Sequence, residues 1–523
     1  MSRIFPIAFR STVLTLAVAC LTTSLIAAEQ EETVLNQKLL LPSTGVNVSR
    51  PVHATNLTYG MLNFDLLEQL ATGSTFEIEL AGKQFEALVV ESKTQMYGRT
   101  VKGVLTEQPE SFFAISTDGI AAAGTFLVPG KRLFQLSYGG EDGLHYVAQP
   151  IETKGLCGLD QGDDAGAVKN AVPPVHRGQG FSSNDVFRGQ TKRQNKRTDS
   201  SESTNLLGGC AVPPPQFDIA IAYTQAARIR VGSVNAIRTE IMNAVTIAEQ
   251  TYQNSGLSIE VNLVGLAEIN YAENASINQD LINLVNGTGI LQQARDLRTD
   301  TGADFLALVV SEGQPIPDSN SRILGIATCP NNPNRPPNFW FDNSSINAVR
   351  FGANPIYTGN ELLITLIHEM GHNVGCNHTE GLCNPTEPTA RALSTTDFET
   401  IMGNQGAFTR ILHYSNPNVQ FEGVPTGNGS RNNFAEILSR EREVESSMPS
   451  RVNVFVDSSA SGTQDGSFQN PFDTVLEGVN QTLPAPVADL PELFIGAGFY
   501  DESFTITKPM IIRSCGGTAS IGN

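Results

Sequence analysis

The sequence predicts an α/β fold for the centre of the chain, with a β-rich region before it and a small β module after it. Between residues 217 and 310, strand-like apolar runs alternate with amphipathic helical runs, which is typical of α/β domains. Before residue 150 and after residue 450, short β-type runs are separated by Gly, Asp and Ser turns. With 523 residues, the chain also exceeds the usual size of one domain.

Composition excludes several classes of function. The formal net charge is −19 at pH 7, so we expect neither nucleic acid nor an anionic membrane surface as the main partner. Hydrophobic residues make up 40% of the chain, which is enough to bury sizeable cores. The mean hydropathy of −0.12 does not fit an integral membrane protein. We therefore expect no membrane span in the mature chain.

The N-terminus has the pattern of a secretory signal peptide. Arg3 and Arg10 precede the apolar run "STVLTLAVACLTTSLIAA", which ends in small residues. A short membrane anchor is the alternative interpretation. Cys20 does not fit a lipoprotein site well, because the apolar run continues past it. We predict a signal peptide over residues 1–28 and a secreted, extracellular protein.

The next region is predicted to be a small antiparallel β domain, which ends near residue 150. Runs such as "STFEIEL", "QFEALVVES" and "RLFQLSY" alternate or cluster apolar residues between turns. Residues 158–209 have few large apolar side chains and are predicted to be a linker. Within this linker, "KRQNKR" (192–197) is either a solvated charge run or an exposed site for a trypsin-like processing protease.

The centre of the chain alternates strands and helices. "FDIAIAYT" (217–224), "IEVNLVGLAEI", "ADFLALVVS" and "RILGIATC" read as strands. Residues 234–256 place Ile237, Ile241 and Val245 on one face of a predicted helix that ends at "NSG".

The stretch "HEMGHNVGCNH" concentrates three of the 7 histidines in the chain. On a helix, His368 and His372 lie four residues apart on one face, so both rings can reach one metal ion. Glu369 is displaced by about 100° around the helix, which suits contact with a water on that ion. Gly375 can end the helix in a left-handed conformation and bring His378 back to the ion.

Three neutral imidazoles and a water make an open, tetrahedral zinc site. Zinc would lower the pKa of the water towards neutrality, and Glu369 would accept its proton as a general base. The reaction class that this pattern indicates is hydrolysis of an amide bond. A pair of structural histidines on a surface helix is the alternative for HExxH alone. The additional glycine and third histidine at fixed offsets favour the metal site.

This stretch fits the HExxHxxGxxH pattern of the metzincin metalloproteases, and the chain resembles that family. The family also has a methionine turn beneath the metal, and "TIMGN" fits it with Met402, although a core methionine is the alternative. The resemblance implies a twisted mixed sheet with an active-site helix, one catalytic Zn²⁺ ion, and protein or peptide substrates. We find no sequence motif for a structural Ca²⁺, which is common in relatives.

Residues 215–440 further resemble the reprolysin-like (adamalysin-type) members, on stretches such as "YQNSGLSIEVNLVG" and "RILHYSNPNVQFEG". In that family an edge strand pairs with the substrate backbone. The stretch that matches this strand is Gly325, Ile326 and Ala327. Thr379 departs from the Asp that often follows the third histidine. Asn404 stands where astacins and serralysins have a tyrosine ligand, so we expect none here.

Export permits disulfides. The close spacing of Cys376 and Cys383 predicts that they form one bridge, and Cys210 with Cys329 is the next candidate pair. This scheme leaves Cys157 and Cys515 without a partner.

Cys157 and Gly158 resemble the cysteine switch of reprolysins and matrix metalloproteases, in which a thiolate takes the fourth position on zinc. Lys154 lies one residue further away than the usual basic residue of that motif. A free or intermolecularly paired thiol is the alternative. We predict a propeptide over residues 29–197, removed after "NKR", and a catalytic domain over residues 210–445.

Residues 450–523 resemble the opening coils of right-handed β-helix proteins, some of which act on sugars. The segment is too short for a long sugar-binding groove, and it carries no cluster of paired carboxylates and bases. We interpret it as an appended module that binds a surface or a polysaccharide.

The sequence is compatible with three functions. The first is a secreted zinc endopeptidase made as a latent zymogen. The second is a non-catalytic adhesion protein, against which Glu369 argues, because binding alone needs no general base. The third is a carbohydrate-acting β-helix protein, which predicts sugar turnover by the C-terminal module alone.

Overall fold

The fold is taken from a computed structural model of the chain. It describes residues 37–43, 54–130, 132–140, 143–150, 155–157, 214–311, 314–315, 322–329, 346–350, 358–379, 383, 385–404, 409–446, 453–482 without 463, 465, 467 and 469, and 491–522. The predicted signal peptide and the predicted basic linker lie outside these residues.

The N-terminal region forms a nine-stranded antiparallel sheet with the order β1-β2-β9-β8-β7-β6-β5-β4-β3. Its strands are β1 (Leu40–Leu41), β2 (Ala54–Leu62), β3 (Thr75–Leu80), β4 (Lys83–Gln95), β5 (Gly98–Leu105), β6 (Gln108–Thr117), β7 (Ala122–Val128), β8 (Arg132–Tyr138) and β9 (Leu144–Pro150). One short helix, α1 (Phe64–Gln69), begins at the N-cap Asn63. Buried apolar side chains from most strands form the core of this unit, which is called the β domain below.

The central region is a mixed seven-stranded sheet. Its strands are β10 (Gly155–Cys157), β11 (Gln216–Thr224), β12 (Glu260–Ile269), β13 (Phe305–Val310), β14 (Gln314–Pro315), β15 (Arg322–Ala327) and β16 (Ile346–Arg350). The order is β10-β15-β16-β13-β11-β12, and β14 pairs with β15. The inner pairs are parallel, whereas β15 is antiparallel to β16. An α/β domain with a mixed sheet therefore agrees with the prediction.

Helices cover this sheet. They are α2 (Gln225–Val231), α3 (Val234–Asn254), α4 (Ile277–Asn286), α5 (Gln292–Thr301), α6 (Thr358–Asn373) and α7 (Asn433–Ser446). The long helix α3 begins at the N-cap Ser233 and ends before Gly256, which has a φ of 84°. Helices α3 and α6 pack on each other, and their apolar faces share one core with the sheet.

The β domain packs directly against the outward face of α3. Asn243 Nδ2 donates to Thr125 Oγ1 at 2.8 Å, and Lys102 forms an ion pair with Glu249. The side chain of Lys102 is only 8% exposed. As a result, α3 is buried on both its apolar and its polar faces. The β domain and the α/β domain thus form one continuous packed body.

Short elements complete the chain. The parallel pair β17 (Phe398–Thr400) and β18 (Thr409–Ile411) follows α6, and a hairpin of β19 (Gln420–Phe421) and β20 (Val424–Pro425) precedes α7. The C-terminal region forms a three-stranded parallel sheet of β21 (Asn453–Val456), β22 (Glu492–Tyr500) and β23 (Ile511–Ile521), with helix α8 (Val475–Gln481) packed on it. In the part of the chain that the structure describes, no helix is both long and apolar enough to span a membrane.

The disulfides differ from the prediction. Cys383 is bonded to Cys329, 54 residues earlier in sequence, and Cys376 is a buried free thiol. Cys515, predicted to be odd, is disulfide-bonded. The predicted Cys376–Cys383 and Cys210–Cys329 pairs were both wrong. Proximity in sequence does not decide which sulfurs face each other. The sulfur of Cys376 lies within the core, near the carbonyl oxygen of Asn433.

Candidate metal centre

Helix α6 and the turn after it bring three histidines together. His368 and His372 lie one turn apart on the helix, and His378 returns to them after the helix ends. The Nε2 atoms of the three rings are 2.9 Å (368 to 378), 2.9 Å (372 to 378) and 3.2 Å (368 to 372) apart. All three rings are almost completely buried. The structure therefore forms the three-histidine cluster that the motif predicts.

Hydrogen bonds from the Nδ1 atoms of two of the rings determine their tautomers. His368 Nδ1 donates to the carbonyl oxygen of Ile401 at 2.8 Å, and His372 Nδ1 donates to that of Cys376 at 2.9 Å. Each of these rings then has its proton on Nδ1 and a lone pair on Nε2. Lone pairs that face one another at about 3 Å repel unless a cation lies between them. This arrangement is the one that metal-ligating histidines adopt.

The cluster fits a tetrahedral ion. Zinc–nitrogen bonds of about 2.0–2.1 Å in tetrahedral geometry place ligand nitrogens about 3.3 Å apart, close to the separations observed here. Burial holds the pKa of His368 well below its usual value, and the neighbouring His372, His378 and Arg410 act in the same direction. A neutral imidazole is the form that binds a metal.

Gly375 makes the return of His378 possible. Its φ is 94°, a left-handed backbone conformation that residues other than glycine rarely adopt. A Cβ atom at this position would also lie 2.5 Å from Glu436 Oε1. The amide of Cys376 donates to the carbonyl oxygen of Gly371 at 2.9 Å, which closes the helix end. The turn thus depends on a glycine for both its backbone and its packing.

Met402 packs against the helix that carries two of the histidines. A Cβ atom on Gly371, which lies between the two helical histidines, would be 2.3 Å from Met402 Sδ. The methionine is fully buried, and the carbonyl oxygen of its neighbour Ile401 accepts the hydrogen bond from His368. Gly371 is therefore the residue that lets the methionine sulfur approach the helix backbone.

Glu369 lies against the edge strand. A Cβ atom on Gly325 would be 2.5 Å from Glu369 Oε1 and 2.4 Å from Thr365 Cγ2, so the carboxylate packs directly on the strand backbone. Asn373 Nδ2 donates to the carbonyl oxygen of Thr328 at 2.9 Å and holds the end of α6 to the same strand. The predicted edge residues Gly325, Ile326 and Ala327 all belong to β15, and all are buried.

The edge of β15 is covered by a segment from the other end of the sequence. Strand β10 (Gly155–Cys157) runs parallel to β15, and Cys157 is the backbone partner of Gly325. The predicted switch cysteine therefore lies, by its backbone, opposite the glycine that contacts Glu369. The side chain of Cys157 is outside the described residues.

The two departures from the family pattern contact each other. Thr379 Oγ1 donates to Asn404 Oδ1 at 3.1 Å, and the guanidinium of Arg431 donates to the carbonyl oxygen of Thr379. Both positions lie next to the metal cluster, one after the third histidine and one after the methionine turn. Together they tie the turn to the loop that carries His378.

Sequence reasoning missed several residues that support the site. Tyr414 Oη donates to the carbonyl oxygen of Ile367 at 2.9 Å and fixes the helix from below. Glu399, which is fully buried, pairs with Arg410 Nε at 3.2 Å. No spacing rule links these positions to the motif. The only available signal was their position near "TIMGN", within the segment similar to reprolysin-like members.

Comparisons with known proteins agree with this geometry. Residues 214–415 match the family model Reprolysin_5, described as metallo-peptidase family M12. Two curated relatives from Stenotrophomonas maltophilia, strains K279a and R551-3, are both named peptidyl-Asp metalloendopeptidase. They are 25% and 24% identical over 240 and 239 residues, which cover 43% of this chain and 51% of each relative. The chain thus matches about half the length of these relatives.

A solved structure titled "Structure of a chaperone-substrate complex" superposes on 45% of this chain and 35% of its own, with 17% identity and a TM-score of 0.35. That similarity is too low to inform the fold. The family match and the curated relatives confirm the resemblance noted from the motif. Residues 214–415 are therefore similar to the reprolysin-like metallopeptidase domains of family M12.

Proposed function

We propose that the chain is a secreted zinc-dependent endopeptidase made as a latent precursor. One observation carries this proposal: three Nε2 atoms converge within hydrogen-bonding distance of one another. Two of them belong to a helix whose Glu369 packs against strand β15. Metal-assisted hydrolysis of a peptide needs a metal site, an acidic side chain that can act as a base, and a strand edge that can pair with the substrate.

His368, His372 and His378 would hold the ion through Nε2. A bound zinc ion polarises a carbonyl group and lowers the pKa of a water molecule towards 7. Glu369 is the general base: its carboxylate accepts the proton of the attacking water and passes it to the leaving amide nitrogen. The buried position of Glu369 against Gly325 orients its carboxylate. Met402 supports the rings from below.

Strand β15 would bind the substrate backbone. In this chain the segment Gly155–Cys157 already pairs with β15, so an extended segment fits beside this strand. A substrate in the same place would gain main-chain hydrogen bonds from Gly325 to Ala327 and would lie next to Glu369. The metal ligands would then lie beside the scissile carbonyl group.

The same pairing supports latency. While β10 covers β15, a substrate strand has to displace it before it can bind there. We propose that residues 29–197 are a propeptide, that the Cys157 thiolate completes the cysteine switch, and that cleavage after Arg197 releases it. The packing of the β domain on α3 supports a precursor in which the propeptide is a folded unit.

Cys157→Ala should activate the uncut precursor. Loss of the thiolate frees the fourth coordination position on zinc, so activity should rise by about 10-fold or more. A 10-fold rise corresponds to a loss of about 1.4 kcal/mol in the free energy with which the propeptide inhibits the site. The measurement is casein hydrolysis by a precursor whose "NKR" site has been removed, with chain integrity followed on gels. Leu156→Ala, which keeps the thiol on the same strand, should remain latent. An alanine precursor as inert as the parent would refute the switch.

Substrate and location are part of the same proposal. The predicted signal peptide favours secretion, and the name of the two relatives favours cleavage at a bond between a peptidyl group and an aspartate. The parallel three-stranded sheet of the C-terminal module supports a separate unit that binds a surface or polysaccharide.

A chelator experiment tests the endopeptidase proposal against the adhesion alternative. Processed protein should hydrolyse casein, lose this activity with a zinc chelator and regain it when zinc is added back. An adhesion protein would show no hydrolysis in any of these conditions. Activity that persists after complete removal of zinc would also contradict the proposal.

A further inference from the structure

The edge strand β15 is attached to the rest of the sheet by few residues. It pairs with β16 through Gly325, Ile326 and Ala327, with the short strand β14, and with β10 of the predicted propeptide. Of the pairings in the described residues, removal of the propeptide leaves the two short ladders to β16 and β14. A strand with so few hydrogen bonds is weakly held by the sheet, so other contacts have to fix its position.

Helix α6 lies against β15 with three residues of one side. Thr365, Glu369 and Asn373 are spaced by four residues, so they lie one above the other on the helix. The first two pack on Gly325, where a Cβ atom would lie 2.4 Å from Thr365 Cγ2 and 2.5 Å from Glu369 Oε1. One turn later, Asn373 Nδ2 donates to the carbonyl oxygen of Thr328 at 2.9 Å. The helix that carries two predicted zinc ligands therefore contacts the strand from Gly325 to Thr328.

Asn373 connects this helix to the end of the strand. It directly follows the predicted metal ligand His372 and is fully buried, and Thr328 is buried too. A carbonyl oxygen can only accept a hydrogen bond, so the amide nitrogen of Asn373 has to face it. Because an unpaired carbonyl group is costly in the protein interior, this contact holds the strand end at a defined distance from the helix.

A disulfide also tethers this strand end. Cys329 follows Thr328 and is bonded to Cys383, whose backbone amide donates to Asn377 Oδ1 at 2.6 Å in the motif loop. The covalent link contains several rotatable bonds, so it limits the movement of the strand end without fixing it. The hydrogen bond from Asn373 joins the strand directly to the helix and therefore sets their relative position.

We propose that Asn373 is a positioning residue that sets where a substrate backbone on β15 lies relative to the zinc ligands and Glu369. This inference rests on the proposed endopeptidase function and adds a residue that acts through the strand. A substrate whose main chain pairs with residues 325–327 moves with the strand, so a displaced strand carries the scissile carbonyl group away from the metal site. A short substrate that does not pair with β15 is not displaced in this way.

The test compares two peptides with the same scissile bond, a long one that can pair with β15 and a short one that ends close to that bond. In zinc-loaded, processed protein, Asn373→Leu keeps a side chain of similar volume but removes the donor. Its kcat for the long peptide should fall by about 10-fold, because a misplacement of about 1 Å can cost about 100-fold in rate and the disulfide limits the movement. The KM of the long peptide should stay close to the wild-type value, because its main chain still pairs with the strand. The short peptide should be cleaved at nearly the wild-type rate.

Asn373→Ala and Asn416→Ala complete the comparison. Asn373→Ala also removes the donor and should lower the kcat for the long peptide in the same way. Asn416 is likewise buried, and its Nδ2 donates to the carbonyl oxygen of Ser255 at 2.8 Å, but this bond joins the end of α3 to the segment after β18. Asn416→Ala should lower the free energy of unfolding and keep the wild-type ratio of kcat/KM between the long and the short peptide. Zinc content and denaturant unfolding are measured for every variant.

An unchanged ratio in both Asn373 variants overturns the assignment. An equal loss of activity with the two peptides does so as well, because a purely structural role would not distinguish them. In either case the endopeptidase proposal stands, since wild type still cleaves both peptides. A zinc-loaded wild type that cleaves neither peptide overturns both proposals.

Discussion

Glu369→Gln is expected to lower kcat for peptide hydrolysis by about 10²- to 10⁴-fold, the usual contribution of a general base. The amide has almost the same shape as the carboxylate and keeps the packing against Gly325, but it cannot accept a proton from the attacking water. The measurement is steady-state hydrolysis of a fluorogenic peptide by processed protein, together with its zinc content.

The variant should bind as much zinc as the wild type, because Glu369 is not one of the three converging ligands. Glu268→Gln, on β12 and away from the cluster, provides the control for a carboxylate-to-amide change and should keep wild-type kcat. A Glu369→Gln enzyme with normal kcat would remove the general base from the mechanism. Loss of zinc in that variant would instead make Glu369 a ligand.

Gly375→Ala is expected to lower the free energy of unfolding by about 1–3 kcal/mol, the usual cost of one strained backbone position or an overpacked contact. The backbone has a φ of 94°, and the new methyl group would lie 2.5 Å from Glu436 Oε1. Glu436 accepts hydrogen bonds from the amides of Thr386 and Glu387, so its displacement disturbs the loop after the motif. The turn that returns His378 would shift, and zinc affinity should fall. Denaturant unfolding and a zinc titration measure the two effects.

Gly429→Ala is the matched control for this change. A Cβ atom at Gly429 would meet no heavy atom within 4 Å, so neither stability nor zinc affinity should change by more than a small amount. If Gly375→Ala bound zinc as tightly as the wild type, the turn would not be needed to position His378.

The metal cluster could be predicted from sequence because its geometry is local. Residues four apart on a helix share a face, and a glycine three residues beyond His372 allows a turn that brings His378 back. The methionine turn is a longer-range feature, and it was predicted only through family resemblance. The structure adds its physical reason, which is the contact between Met402 Sδ and the backbone at Gly371.

Long-range pairings could not be read from spacing. The Cys329–Cys383 bond joins the end of β15 to the motif loop across 54 residues. Sequence alone leaves many pairings open for the six cysteines that follow the predicted signal peptide. The Glu399–Arg410 pair likewise depends on how β17 and β18 meet. Such contacts are consequences of the tertiary fold.

For helix α3, the apolar periodicity of the sequence predicted only part of the buried surface. Its apolar positions, including Ile237, Ile241 and Val245, predicted one buried face, and that face packs in the core. Its polar face is also buried, because the β domain supplies Lys102 and Thr125 as partners for Glu249 and Asn243. A polar face that meets another domain has the same composition as one that meets water, so the sequence did not reveal this interface.

The most direct test of the central claim is metal analysis and X-ray absorption of the processed protein. The account predicts one zinc ion per chain, bound by three imidazole nitrogens at about 2.0–2.1 Å, and loss of that ion in His378→Ala. A processed wild type without a transition metal, or an ion whose ligands do not include the imidazole of residue 378, would contradict it.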